Sequence, residues 1–124
     1  MLTIHERLLE SGERETVDVG AEDGALVVRV AGESTLLPMS VLEAVMARYG
    51  KPLEDGVPLP PGAPSVDLGD GGVLRLVRIL GFYDVIAKDY LVWTRDGHEP
   101  LAELATAVSA ALVHFVRAAR SAAT

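Results

Sequence analysis

The densest group of side chains able to do chemistry is Asp96, His98, Glu99 and Glu103, four titratable residues close together in the chain. An imidazole beside carboxylates is the material of a metal site or of an acid–base pair. The same residues also suit plainer work. Asp96-Gly97 is turn chemistry, and acids in a first helical turn satisfy free amides and the helix dipole. Asp84 is the other acid that stands out, set amid Phe82, Tyr83, Ile86 and Trp93. A buried carboxyl there would titrate high and could serve a ligand, whereas a wet one would only mark a strand edge. Asp84 and His98 are therefore the candidate ligand residues.

Other chemistries lack their residues. The chain has no cysteine, which excludes disulfides, thiolate nucleophiles and zinc–thiolate sites. None of its serines lies in a Gly-x-Ser-x-Gly elbow. Gly69-Asp70-Gly71-Gly72 leads toward a strand, whereas a phosphate loop must open a helix. His5 and His114 each stand without an i, i+4 ligand partner. No catalytic residue, metal or cofactor is expected.

Residues 1–70 hold thirteen acids and five bases, and residues 71–124 hold five acids and six bases, within a net charge of −7. Such a surface repels phosphate backbones, so nucleic acid is not an expected partner, although Arg75, Arg78 and Arg95 could form a local patch. No apolar run reaches the roughly 18–20 residues that span a bilayer. Met1-Leu2-Thr3 runs at once into His5, Glu6 and Arg7, which does not read as a signal peptide. A cytoplasmic setting follows as the expectation. Frequent Arg, Ala, Val and Gly against only two lysines suggest a GC-rich bacterial origin.

The elements that would position these residues follow from periodicity. Thr3-Ile4-His5-Glu6 has capping-box form and Gly12 stands where a helix would stop, which favours a short N-terminal helix. The competing strand puts Leu2, Ile4 and Leu8 on one face. Thr16–Val19, Ala25–Ala31 and Ser34–Leu37 read as a meander, turning at Ala21–Gly24 and at Gly32-Glu33. Pro38 opens a helix with Val41, Leu42, Val45, Met46 and Tyr49 at helical spacing, and Gly50 ends it. Residues 51–72, with five of the seven prolines, read as a stiff Pro/Gly-rich loop.

Val73–Leu80 is expected to be a strand. Phe82–Ala87 and Tyr90–Thr94 are expected to form a hairpin around Lys88-Asp89, pairing Ile86 with Leu91 and Asp84 with Trp93. Both of its faces then carry large apolar groups, so helices must cover both or a second subunit must cover one. Pro100 is expected to open a long final helix whose stripe is Leu101, Leu104, Val108, Leu112, Phe115 and Ala119. The sum is a single α+β domain over residues 1–124. It consists of an antiparallel sheet of about five or six strands, with a central and a C-terminal helix mainly on one face.

This layout resembles the type III secretion chaperones in its acidic charge, small size, amphipathic first and last helices and three-strand meander. Those proteins are small homodimers that bind extended effector segments. The Pro-rich loop and the strand Val73–Leu80 depart from their pattern, and no functional residue carries over. The leading expectation is a non-enzymatic protein-interaction module, a homodimeric adaptor that also binds another protein. Its contact residues are expected to be Phe82, Tyr83, Tyr90, Trp93, Leu112 and Phe115, since aromatic anchors dominate interfaces. The alternative is a small-ligand protein or minor enzyme with a pocket between the sheet and the C-terminal helix.

Overall fold

Alternation decides the N-terminal quarter. The computed structural model describes residues 1–53, 62–80 and 87–122. In it Leu2 and Ile4 are buried while Thr3 is exposed, and β1 (Leu2–Leu8) is a strand rather than the expected helix. The residues of the apparent capping box find cross-strand partners in β2 (Arg14–Glu22). Thr3 Oγ1 donates to Asp18 Oδ1 at 2.6 Å, and Arg14 Nη1 donates to Glu6 Oε1 at 2.8 Å. Local capping signals lost to tertiary pairing, because only the strand buries both Leu2 and Ile4.

β3 (Ala25–Val30) and β4 (Glu33–Leu37) complete a four-stranded antiparallel sheet in the order β1-β2-β3-β4. Asp23-Gly24 turns β2 into β3, with φ of 49° and 78°. The next turn is Ala31-Gly32, one residue earlier than Gly32-Glu33, with φ of 52° and 85°. Left-handed values at both central residues match the right-handed strand twist.

α1 (Met39–Tyr49) follows Pro38 as expected and buries Leu42, Val45 and Met46. The expected loop at 51–72 is interrupted by two strands, β5 (Lys51–Pro52) and β6 (Ser65–Gly69). β7 (Gly72–Leu80) is where the sequence places it. β8 (Ala87–Arg95) runs straight through Lys88-Asp89, so the expected turn there is absent. Leu91 pairs with Leu76 and Trp93 with Leu74, in place of Ile86 and Asp84. The error was one of pairing: β8 uses the long apolar β7 as its partner, which buries more than a short self-contained hairpin.

β9 (His98–Leu104) replaces the expected start of the final helix, and α2 (Ala105–Ala122) begins only after it. Pro100 sits beside a register shift between Trp93 and Arg95, with the two-residue β5 on its other side. Bulges and short-lived edges are where a sheet admits proline. The second sheet has the order β5-β9-β8-β7-β6. The fold is thus α+β, with two antiparallel sheets of four and five strands in place of one. The first amphipathic helix of the secretion-chaperone layout is a strand here.

One hydrophobic cluster joins both sheets and both helices. It contains Val19 and Val28 from the first sheet, Leu74 and Leu91 from the second, Met46 from α1 and Leu112 from α2. Ser109, buried in α2, is satisfied by donating from Oγ to Ala105 O at 2.7 Å. Two ion pairs tie the layers at their rims: Arg95 with Glu43 at 3.2 Å and Arg120 with Glu33 at 3.3 Å. No described helix is long and apolar enough to cross a membrane.

Candidate functional site

Of the residues expected to bind a partner, the four described, Tyr90, Trp93, Leu112 and Phe115, do not share a surface. Leu112 is fully buried, so it belongs to the core and not to an interface. Trp93 packs against the same core, and its indole Nε1 is buried without an acceptor among the described residues. Tyr90 stands on the opposite face of β8, paired with Val77 and Leu104. On that second face Val77 and Val92 are buried within the chain, so it is not an open apolar sheet awaiting a subunit. Phe82, Tyr83 and Asp84 lie outside the described residues. Among the four described, Phe115 lines the groove between the helices, and Trp93 lines a smaller depression beside the β6–β7 turn.

The titratable cluster at the β8–β9 turn does not assemble either. His98 is exposed, and its Nδ1 lies 3.1 Å from the carbonyl oxygen of Asp96 in the same turn. Asp96 instead approaches Gly71 of the neighbouring β6–β7 turn. Among the described residues, no group of three or more His, Asp or Glu side chains could hold a metal ion. Arg78 is held above its ordinary pKa by the hydrogen bond from its Nε to Asp89 Oδ1, 3.0 Å, and by that carboxylate's charge. Both partners are exposed or half-exposed at the surface, where such pairs contribute little.

Two depressions are large enough to matter. One, of about 640 Å³, lies between β1, the second sheet and the start of α2; Ile4, His5, Glu6, Leu76, Lys88 and Asp89 help to line it. It lies between the second sheet and the start of the final helix, but His98 does not line it, and Asp84 lies outside the described residues. Its two carboxylates are already engaged, Glu6 by Arg14 and Asp89 by Arg78.

The other, of about 610 Å³, runs between the two helices and is lined by residues of α1 and α2. α1 contributes Ala44, Val45, Arg48 and Tyr49; α2 contributes Ala107, Ala110, Ala111, His114 and Phe115. These positions recur at helical spacing, so each helix gives one continuous wall. Val45 is its buried lining residue, and four alanines with Tyr49 and Phe115 make up most of the rest. Arg48 lies over the Tyr49 ring at 5.3 Å, and His114 meets Phe115 edge-on at 6.1 Å between centroids. Tyr49 is 39 % exposed, one of the few large apolar side chains so open.

Of this groove, the sequence reading singled out only Phe115. Tyr49 falls in the helical stripe of α1, and Ala110 and His114 lie outside the apolar stripe expected of the final helix. The available signal was alanine recurring on the supposed polar side of an amphipathic helix, where charged residues would serve solubility better.

Comparison with known proteins adds no family to this description: no family model, curated protein or solved structure matches the chain.

Proposed function

We propose that this chain is a protein-interaction module that receives an amphipathic helix of another protein in the groove between α1 and α2. The observation that carries the proposal is a channel lined on both helices by small side chains, with the half-open aromatics Tyr49 and Phe115 among them. Small side chains let a third helix approach two others to about 8–10 Å between axes, and the rings supply anchors at its edges. Helix-in-groove recognition reads apolar residues at i, i+3, i+4 and i+7; the α2 wall from Ala107 to Phe115 spans that repeat, and α1 adds a shorter wall from Ala44 to Tyr49. The cytoplasmic setting belongs to the same proposal.

The test uses a synthetic amphipathic helical peptide with a Leu/Ala stripe and amide chemical shifts of the labelled protein. Saturable shifts at Ala44, Tyr49, Ala110 and His114 are expected. Ala110→Glu should leave the melting temperature nearly unchanged, because Ala110 is exposed and Glu is a good helix former. It should weaken peptide binding about tenfold or more by filling, with a longer side chain, the space where the incoming helix must approach. Absence of binding, or binding that ignores Ala110→Glu, would remove the groove from consideration.

Self-association remains a second proposal, moved to a different surface. β4 is an edge strand, and Leu36 on its solvent face is 62 % exposed. Val30 and Glu33 close a two-residue turn, so the backbone groups of Ser34 and Leu36 point away from β3. A second copy, antiparallel about Thr35, would set Ser34 against Leu36 in hydrogen-bonded register. Light scattering across a concentration series should then show a dimer that Leu36→Asp dissociates; a monomer at every concentration refutes it. A small ligand in the depression beside β1 has size in its favour, but the salt-bridged state of Glu6 and Asp89 favours the groove.

A further inference from the structure

We infer that the helix received by the α1/α2 groove carries carboxylates along its polar edges; this rests on the groove reading above. The basic residues lining the groove are Arg48 and His114, one on each helix, and among the described residues no Asp or Glu lines it. Arg48 enters none of the ion pairs formed among the described residues, and its guanidinium lies instead over Tyr49. An Arg fork so placed offers several N–H donors to an incoming carboxylate, and His114 offers another donor across the channel.

The surrounding charge agrees. α2 contains no acid and adds exposed Arg117 on the turn after His114. α1 contains one acid, Glu43, which Arg95 already engages at 3.2 Å. The chain as a whole is at −7, yet its acids lie mainly on the strands and loops. At physiological salt those beyond a Debye length of about 8 Å are largely screened, so the local cationic rim decides.

The same facts exclude a second copy as the occupant. An acidic-edged helix is needed, and neither α1 nor α2 of this chain is one. The partner is therefore a different protein, presenting an apolar stripe flanked by Glu or Asp.

The experiment compares two helical peptides of roughly 18 residues with the same Leu/Ala stripe, one flanked by Glu and one by Lys. By calorimetry the Glu peptide should bind about tenfold more tightly, since it gains attraction where the Lys peptide meets like charge. Arg48→Glu should abolish or reverse that preference, and rising salt should narrow it. Equal affinities, with both peptides still displaced by Ala110→Glu, would overturn the charge inference and leave the groove standing. A preference for Glu that survives Arg48→Glu would also overturn it, by placing the selecting charge elsewhere. If neither peptide binds, the groove reading falls and this inference falls with it.

Discussion

Leu112→Ala is expected to lower the stability of the protein by about 2–5 kcal/mol, the range for emptying a buried leucine site. The side chain is fully buried in the cluster that joins α2 to α1 and to both sheets. Truncation loses the transfer energy of the removed methyl and methylene groups, and it leaves a cavity that two packed helices cannot easily close. In a domain of this size the loss should appear as a fall of roughly 10–20 °C in melting temperature. Urea titration checks it: the midpoint should drop while the slope stays constant, marking lost stability in an otherwise unchanged fold. A loss below about 1 kcal/mol would mean that α2 does not dock through this face. Leu112→Glu would be worse, because it buries an unpaired charge. Lost partner binding in that variant would report unfolding and say nothing about an interface, so Ala110→Glu is the informative substitution.

Gly71→Ala should cost about 2–3 kcal/mol, for two reasons that can be separated. Gly71 has φ of 77° in the turn that joins β6 to β7. An L-residue in that region costs about 1–2 kcal/mol by crowding between Cβ and the backbone. A Cβ would also run into the carboxylate of Asp96, which belongs to the β8–β9 turn. The collision is with a side chain, so it can be relieved. In an Asp96→Ala background, Gly71→Ala should cost only the conformational part, about 1–2 kcal/mol. The double-mutant cycle measured by urea unfolding gives the difference directly. Additive effects would show that the two turns do not touch.

Much of the local structure was legible because it depends on near neighbours. Asp23-Gly24 and Asp96-Gly97 announced turns, since glycine adopts left-handed φ without a Cβ penalty. The helix α1 was bounded by Pro38 and Gly50, and the alternation of Ala25–Val30 specified a strand with one buried face. Pairing was legible only in the meander β2-β3-β4, whose turns are local; the pairings expected elsewhere failed. Thr3 and Glu6 carried a correct helix-start pattern and were taken by Asp18 and Arg14 of the next strand. Lys88-Asp89 looked like a turn, but opposite β7 it became a cross-strand position, with Asp89 engaging Arg78. Leu101, Leu104 and Val108 share a helical period, yet the first two lie on β9, because short apolar runs fit either period.

The candidate site follows the same division. By itself the sequence determined an α+β chain with ample apolar content, acids concentrated in its first half, no cysteine chemistry and two amphipathic helices. Those properties are sums over residues or patterns within one element, so no long-range contact is needed to read them. Only the tertiary structure decided that Leu112 and Trp93 are core, that Val77 and Val92 are covered within the chain, and that Tyr49 and Phe115 line one groove. Each of these depends on which faces the two helices and two sheets turn toward one another. That choice is made by burying the most apolar surface over the whole chain, and no window of neighbouring residues contains it.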